Sequence, residues 1–141
     1  MTPAVENGTV FIGSGDNSFY AIDAATGKKK WSYVAGPGMT TGRLPAPVLK
    51  DGTVYFAAEQ RIHALDMATG ERKWLFEALH EKPIPSRRIE GIVPGDNAIF
   101  VTAWSRTTFA ANPKMARSFL YAVAPDTGTT NWVATFDGIS I

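Results

Sequence analysis

Three stretches of this chain repeat one pattern, and a threefold internal repeat limits what a chain can fold into more than any single motif does. The first runs Asn7-Gly-Thr-Val-Phe-Ile-Gly13, then Phe19-Tyr-Ala-Ile-Asp-Ala-Ala-Thr-Gly-Lys-Lys-Lys-Trp31. The second runs Asp51-Gly-Thr-Val-Tyr-Phe-Ala57, then Ile62-His-Ala-Leu-Asp-Met-Ala-Thr-Gly-Glu-Arg-Lys-Trp74. The third runs Asp96-Asn-Ala-Ile-Phe-Val-Thr102, then Leu120-Tyr-Ala-Val-Ala-Pro-Asp-Thr-Gly-Thr-Thr-Asn-Trp132. Val10, Val54 and Ile99 lie 44 and 45 residues apart, whereas the tryptophans lie 43 and 58 apart. The third unit therefore carries an insertion.

Each part of the repeat has a local reading. Asn-Gly or Asp-Gly ahead of a β-branched and aromatic run marks a tight turn entering a strand. Gly27, Gly70 and Gly128 follow a second strand, where glycine can take a positive φ and reverse the chain. A third strand then opens on Trp31, Trp74 or Trp132 and alternates, so that Trp31 and Tyr33 share a face, as do Trp74 and Phe76, and Trp132 and Phe136. Val34, Leu75 and Val133 occupy the opposite face, which suits a sheet covered on both sides. The lead-ins Pro3-Ala-Val5, Pro45-Ala-Pro-Val-Leu49 and Gly91-Ile-Val-Pro94 can each supply a short fourth strand. Residues 107–117 hold a few helix formers, but Pro113 interrupts them.

Several short strands repeated at a spacing in the low forties define a β-propeller blade. The fold expected is all-β: three four-stranded antiparallel blades, near residues 1–38, 39–86 and 87–141, forming an incomplete propeller. The 141 residues suffice for a hydrophobic core, with 45% apolar and 19% charged side chains. A net charge of +1 gives no general case for a nucleic-acid or membrane-surface partner. No apolar run is long enough to span a bilayer. Cysteine is absent, which excludes disulfides, thiolate metal sites and a cysteine nucleophile.

The element Ala-x-Asp-x-Ala-Thr-Gly-x-x-x-Trp stands in full at 21–31 and 64–74, and at 122–132 with Ala124 in place of the aspartate and Asp126 in place of the second alanine. It resembles the tryptophan-docking repeat of the pyrroloquinoline-quinone (PQQ) propeller superfamily over nearly the whole chain. The resemblance implies that each tryptophan stacks between blades and bonds backbone of the next repeat. It also implies export to the periplasm or cell exterior. Some members are dehydrogenases that hold PQQ and Ca²⁺ over the central channel. Others resemble the lipoprotein scaffold of outer-membrane protein assembly or the sensor domains of membrane kinases, and bind no quinone. The adjacent-cysteine disulfide of the dehydrogenases has no counterpart here.

Asp23 and Asp66 belong to the repeat and suit a role as acceptors for turn backbone. His63 takes the slot of Tyr20 and Tyr121 and reads as a packing residue with a polar tip. Trp104, the tryptophan outside the repeat, is either a stacking platform for a ring-shaped ligand or a packed rim residue. The insertion from Ser105 to Ser118 contains Arg106, Phe109, Asn112, Lys114, Met115 and Arg117 without an acid. It suits an acidic peptide or anionic ligand, or else it is an extended hairpin with no partner. Arg87 and Arg88, after Pro83 and Pro85, read as a solvated loop between blades, and no nucleic-acid motif accompanies them.

Propellers close with roughly four to eight blades. Three blades leave two apolar faces open, so the partners expected are further blades of a larger protein or copies of this chain. The function expected is a non-catalytic binding scaffold with no cofactor of its own. The alternative is a segment of a PQQ- and Ca²⁺-dependent alcohol or sugar dehydrogenase.

Overall fold

The structure is a computed structural model that describes residues 1–37, 39, 44–58, 60–78, 87–105 and 117–137. Its strands form three four-stranded antiparallel sheets, each built from consecutive strands in order. The first holds β1 (Ala4–Glu6), β2 (Thr9–Gly13), β3 (Ser18–Asp23) and β4 (Lys29–Val34). The second holds β5 (Val48–Lys50), β6 (Thr53–Ala58), β7 (Arg61–Asp66) and β8 (Arg72–Glu77). The third holds β9 (Arg87–Pro94), β10 (Ile99–Ser105), β11 (Arg117–Val123) and β12 (Thr130–Asp137). These are three propeller blades, and the array they make is not closed.

The entry turns follow from their residues. Asn7-Gly8 and Asp51-Gly52 form two-residue hairpins, with all four residues at φ between 48° and 73°. Positive φ at both central positions is the requirement of the turn that matches strand twist. The third unit has Asp96-Asn97 instead, and its hairpin widens to the loop 95–98, closed by Gly95 N donating to Ala98 O at 2.8 Å.

One irregularity recurs in every blade. The third and fourth strands slip register at Ala21/Ile22, Ala64/Leu65 and Ala122/Val123, which leaves the residue just before each tryptophan unpaired. A bulge of this kind bends a strand and re-aims its side chains. Lys30 and Lys73 sit at the first two bulges and donate to Thr9 and Thr53, each at 2.7 Å.

The middle blade is covered on both sides, and all six residues of β6 are buried. One core lies between the first two blades and includes Phe11, Phe19, Phe56 and Leu65. The other lies between the second and third and includes Tyr55, Phe76, Val101 and Tyr121.

Tryptophan links the blades. The Trp31 indole lies on Gly70, where a Cβ would sit 2.6 Å from the ring, and its Nε1 donates to Met67 O at 3.0 Å. Trp74 lies likewise on Gly128 and donates to Pro125 O at 2.7 Å. Gly27 has the same positive φ, but a Cβ there would meet nothing within 4 Å. These glycines therefore differ in a measurable way. Gly27→Ala should cost about 1 kcal/mol, the strain of a left-handed alanine. Gly70→Ala should cost about 3 kcal/mol, because it also displaces the Trp31 ring and breaks its hydrogen bond. Denaturant unfolding of the two variants checks the difference, and equal losses would show that the ring contact contributes little.

Candidate functional site

The repeat acids hold their own turns. Asp23 Oδ1 accepts from Ala25 N at 3.0 Å and Thr26 N at 2.8 Å, and Asp66 Oδ1 accepts from Ala68 N at 2.9 Å and Thr69 N at 3.0 Å. These bonds, led by the Thr26 and Thr69 amides, hold both carboxyls below their usual range. Among the described residues no three of His, Cys, Asp and Glu stand together as a metal site.

The seam between the first two blades carries a polar network inside an aromatic stack. His63 is 3% exposed and stacks on Phe56 with centroids 4.9 Å apart. Its Nδ1 lies 3.2 Å from the hydroxyl of Tyr33, which comes from the preceding blade. Arg72 Nη1 donates to the same hydroxyl at 3.5 Å. The tautomer of His63 decides whether the hydroxyl or Nδ1 donates, and its Nε2 is buried without a hydrogen-bond partner among the described residues. Burial pulls the His63 pKa down to about 4, and the Arg72 and Arg61 charges add to that effect. Arg61 is itself paired with Glu77 at 2.6 Å. A cleft of about 350 Å³ opens on this seam beside Glu6, Phe11 and Met67, but its cation, Lys30, is already bonded to Thr9.

The far end of the third blade is different in character. Its strands place Arg88, Trp104, Ser118 and Phe136 in one cross-strand row, and Ser105 pairs with Arg117 beside it. Partnered residues of a sheet share a face, so a cation and two large rings lie together on the blade's open side. Arg88 is exposed, Trp104 is half-buried and Phe136 is 55% exposed. Trp104 Nε1 and Ser105 Oγ are shut off from water without a hydrogen-bond partner among the described residues.

Of the residues singled out in the sequence, Arg117 begins β11 at the mouth of this row and is exposed. Arg106, Phe109 and Lys114 lie outside the described residues, as do Asn112, Met115 and His80. The loop expected at Arg87 and Arg88 is a strand: both belong to β9, which runs eight residues rather than the short lead-in expected. The reason is β10, whose full length through Ser105 offers ladder partners that pull the two arginines into register. The alternation of Arg88, Ile89 and Glu90 was the signal available.

Three sheets sandwiched by aromatic seams, each bridged by a tryptophan on the next turn, define blades of the PQQ type. Residues 1–83, more than half of the chain, match the family model described as outer membrane protein assembly factor BamB, and the chain belongs to that family of PQQ-like repeat propellers. The chain is 39% identical over 62 residues to the serine/threonine-protein kinase AfsK of Streptomyces griseus, a match covering 43% of this chain and 8% of that protein. Its fold is similar to quinohemoprotein alcohol dehydrogenase from Comamonas testosteroni, with a TM-score of 0.74 and 24% identity, covering 95% of this chain and 20% of that one. It is also similar to BamB from Moraxella catarrhalis, with a TM-score of 0.59 and 18% identity, covering 94% of this chain and 50% of that one. The chain thus spans half or less of each of these proteins.

The seam histidine links stability to pH. Because its folded pKa is near 4 and its unfolded value near 6.5, the unfolded chain binds the extra proton between them. His63 stabilisation is therefore fully present above about pH 6.5 and is lost as pH falls towards 4. We expect up to about 3 kcal/mol of acid-linked loss from this group, and His63→Phe should remove that share of the pH dependence. Urea midpoints at pH 7.5 and 4.5 test it, and an equally steep loss in the variant would assign the acid sensitivity elsewhere.

Proposed function

We propose that this chain is a non-catalytic segment of a PQQ-like propeller that acts as a binding scaffold in the periplasm or cell exterior. The observation that carries this reading is where the distinctive chemistry lies. Apart from Trp132, the conspicuous repeat residues are engaged in turns and seams, whereas the third blade alone interrupts its repeat with the segment 106–116. That segment contains Arg106, Phe109 and Lys114 and no acid. It leaves the sheet between Ser105 and Arg117, beside the row that contains Arg88 and Trp104. Cations next to rings suit an acidic peptide that also carries apolar side chains.

In the alternative, a segment of a PQQ- and Ca²⁺-dependent dehydrogenase, the other blades hold the active-site residues. Calcium needs several oxygen ligands converging on one point. Asp23 and Asp66 spend an oxygen each on their turns, on different blades, and among the described residues the acids do not gather in threes. The likeness to the quinohemoprotein supports the blade architecture alone.

The test is a titration of the purified chain with a labelled acidic peptide containing phenylalanine, followed by fluorescence anisotropy. Arg106→Ala and Lys114→Ala should each weaken binding about fivefold, equivalent to about 1 kcal/mol, and added salt should weaken it further. A parallel titration with PQQ and Ca²⁺ should give no dye-linked alcohol oxidation. Turnover there would overturn the scaffold reading, and equal peptide affinity in both variants would move the site away from the insertion.

A further inference from the structure

The two seams between the blades are built on one repeat, yet they differ in charge at the end that carries the β1–β2 and β5–β6 turns. In the first blade the residue that enters this turn is Glu6, paired with Thr9 across the hairpin. In the second blade it is Lys50, paired with Thr53. Further along the same ladders, Phe11 opposite Ala4 corresponds to Tyr55 opposite Val48. The second blade thus brings an ammonium group and a hydroxyl to its seam, where the first brings a carboxylate and a bare ring.

The ammonium of the second seam is satisfied from within the chain. Lys50 Nζ donates to Gly95 O, and to Asp96 O at 3.3 Å, in the turn that precedes β10 of the next blade. At the same end of the first seam lies the cleft of about 350 Å³, lined by Glu6, Asn7, Thr9, Phe11, Lys30 and Met67. Its cation is committed: Lys30 Nζ donates to Thr9 Oγ1 at 2.7 Å and stands 4.0 Å from the Asp23 carboxylate. Glu6 is half-buried, and its carboxylate has no ion pair or hydrogen bond among the described residues. A carboxylate that has lost part of its water is stabilised by a charged donor. The second blade supplies such a donor to its seam as Lys50, whereas the first seam has to take one from a bound molecule.

We propose that this cleft binds a small aliphatic amine, with its ammonium on Glu6 and its carbon chain against Phe11 and Met67. The volume of about 350 Å³ is at the small end of ligand pockets, which run from roughly 300 to 1,000 Å³, and so favours a free amine over a folded partner. Charge selects the head group. The uncommitted carboxylate repels an anion, and a neutral alcohol gains no charge-assisted hydrogen bond. This inference goes beyond the scaffold reading and does not rest on it. The cleft lies at the end of the entry turns, whereas the insertion joins β10 to β11 at the opposite end of its blade.

Titration of the isotope-labelled chain with pentylamine, followed by amide chemical shifts, tests the proposal. Pentylamine should move the amides of Glu6, Asn7 and Met67 saturably. Pentanol and pentanoate should bind at least about tenfold more weakly, the loss expected without a charge-assisted hydrogen bond. Glu6→Gln keeps the size of the side chain and should weaken pentylamine by a similar factor. Glu6→Lys, which installs the residue of the second blade, should abolish binding. Glu6 sits beside an exposed turn, so both variants should keep the wild-type spectrum elsewhere. Should either misfold, Phe11→Tyr narrows the cleft with the second blade's own side chain and should also weaken binding. Acidic-peptide affinity should be unchanged in Glu6→Gln, which separates a failure here from a failure of the scaffold reading. Absence of saturable shifts at these amides overturns the proposal. So does equal affinity for pentanol, or an unchanged affinity in Glu6→Gln. A lysine-containing peptide that binds more tightly than pentylamine overturns the assignment to a free amine.

Discussion

The packing of an indole on a bare backbone turn governs the architecture of this protein. A ring can approach the turn this closely only where no Cβ intervenes, and the indole N–H reaches a turn carbonyl only from that position. The same glycine satisfies a second demand, since its positive φ reverses the chain between the third and fourth strands. One residue therefore sets both the hairpin within a blade and the seam between blades. Substitution at an occupied turn strains two structures at once.

The aspartate of the repeat has a smaller role than its prominence suggests. In the first two blades it belongs to a set of three: Asp23 with Lys30 and Thr9, and Asp66 with Lys73 and Thr53, the lysine lying 4.0 Å from the carboxylate and bonded to the threonine. The third blade replaces the whole set, with Ala124, Asn131 and Ala98 at the corresponding places. Its turn nevertheless closes as before, with Ala124 N to Thr129 O at 2.8 Å and Gly128 N to Ala124 O at 2.9 Å. Backbone and glycine make the turn. The ionic set ties the bulge ahead of the tryptophan to the second strand, and it is kept or lost as a unit because a lone lysine or aspartate there would lose its partner.

The seams are chemically unequal although the repeat makes them look alike. Tyr20, His63 and Tyr121 hold one slot in the three blades. Tyr20 bonds Asp16 on the open side, Tyr121 packs edge-on against Phe76, and His63 is buried between Phe56 and the Tyr33 hydroxyl. What each can do depends on the blade in front of it. The first seam thereby acquires a buried histidine, while the core of the second holds Tyr55, Phe76 and Tyr121.

Blade identity, strand order and the positions of the turn glycines were all legible in the residues, because they depend on local conformational preference and on a spacing repeated three times. So was the interruption at Ser105. The strand containing Arg87 and Arg88 was not, because its extent is set by the partner strand β10 and not by its own residues. The Tyr33, Arg72 and His63 network was equally hidden, since its members are separated along the chain and meet only when one sheet packs on another. The amino-acid sequence by itself determined what each blade is. Only the tertiary structure decided what each blade touches: it buried Trp74 and left Trp132 on an open face, although both close the same motif. The physical reason is that turns and strands are satisfied within one unit, whereas burial needs a neighbour.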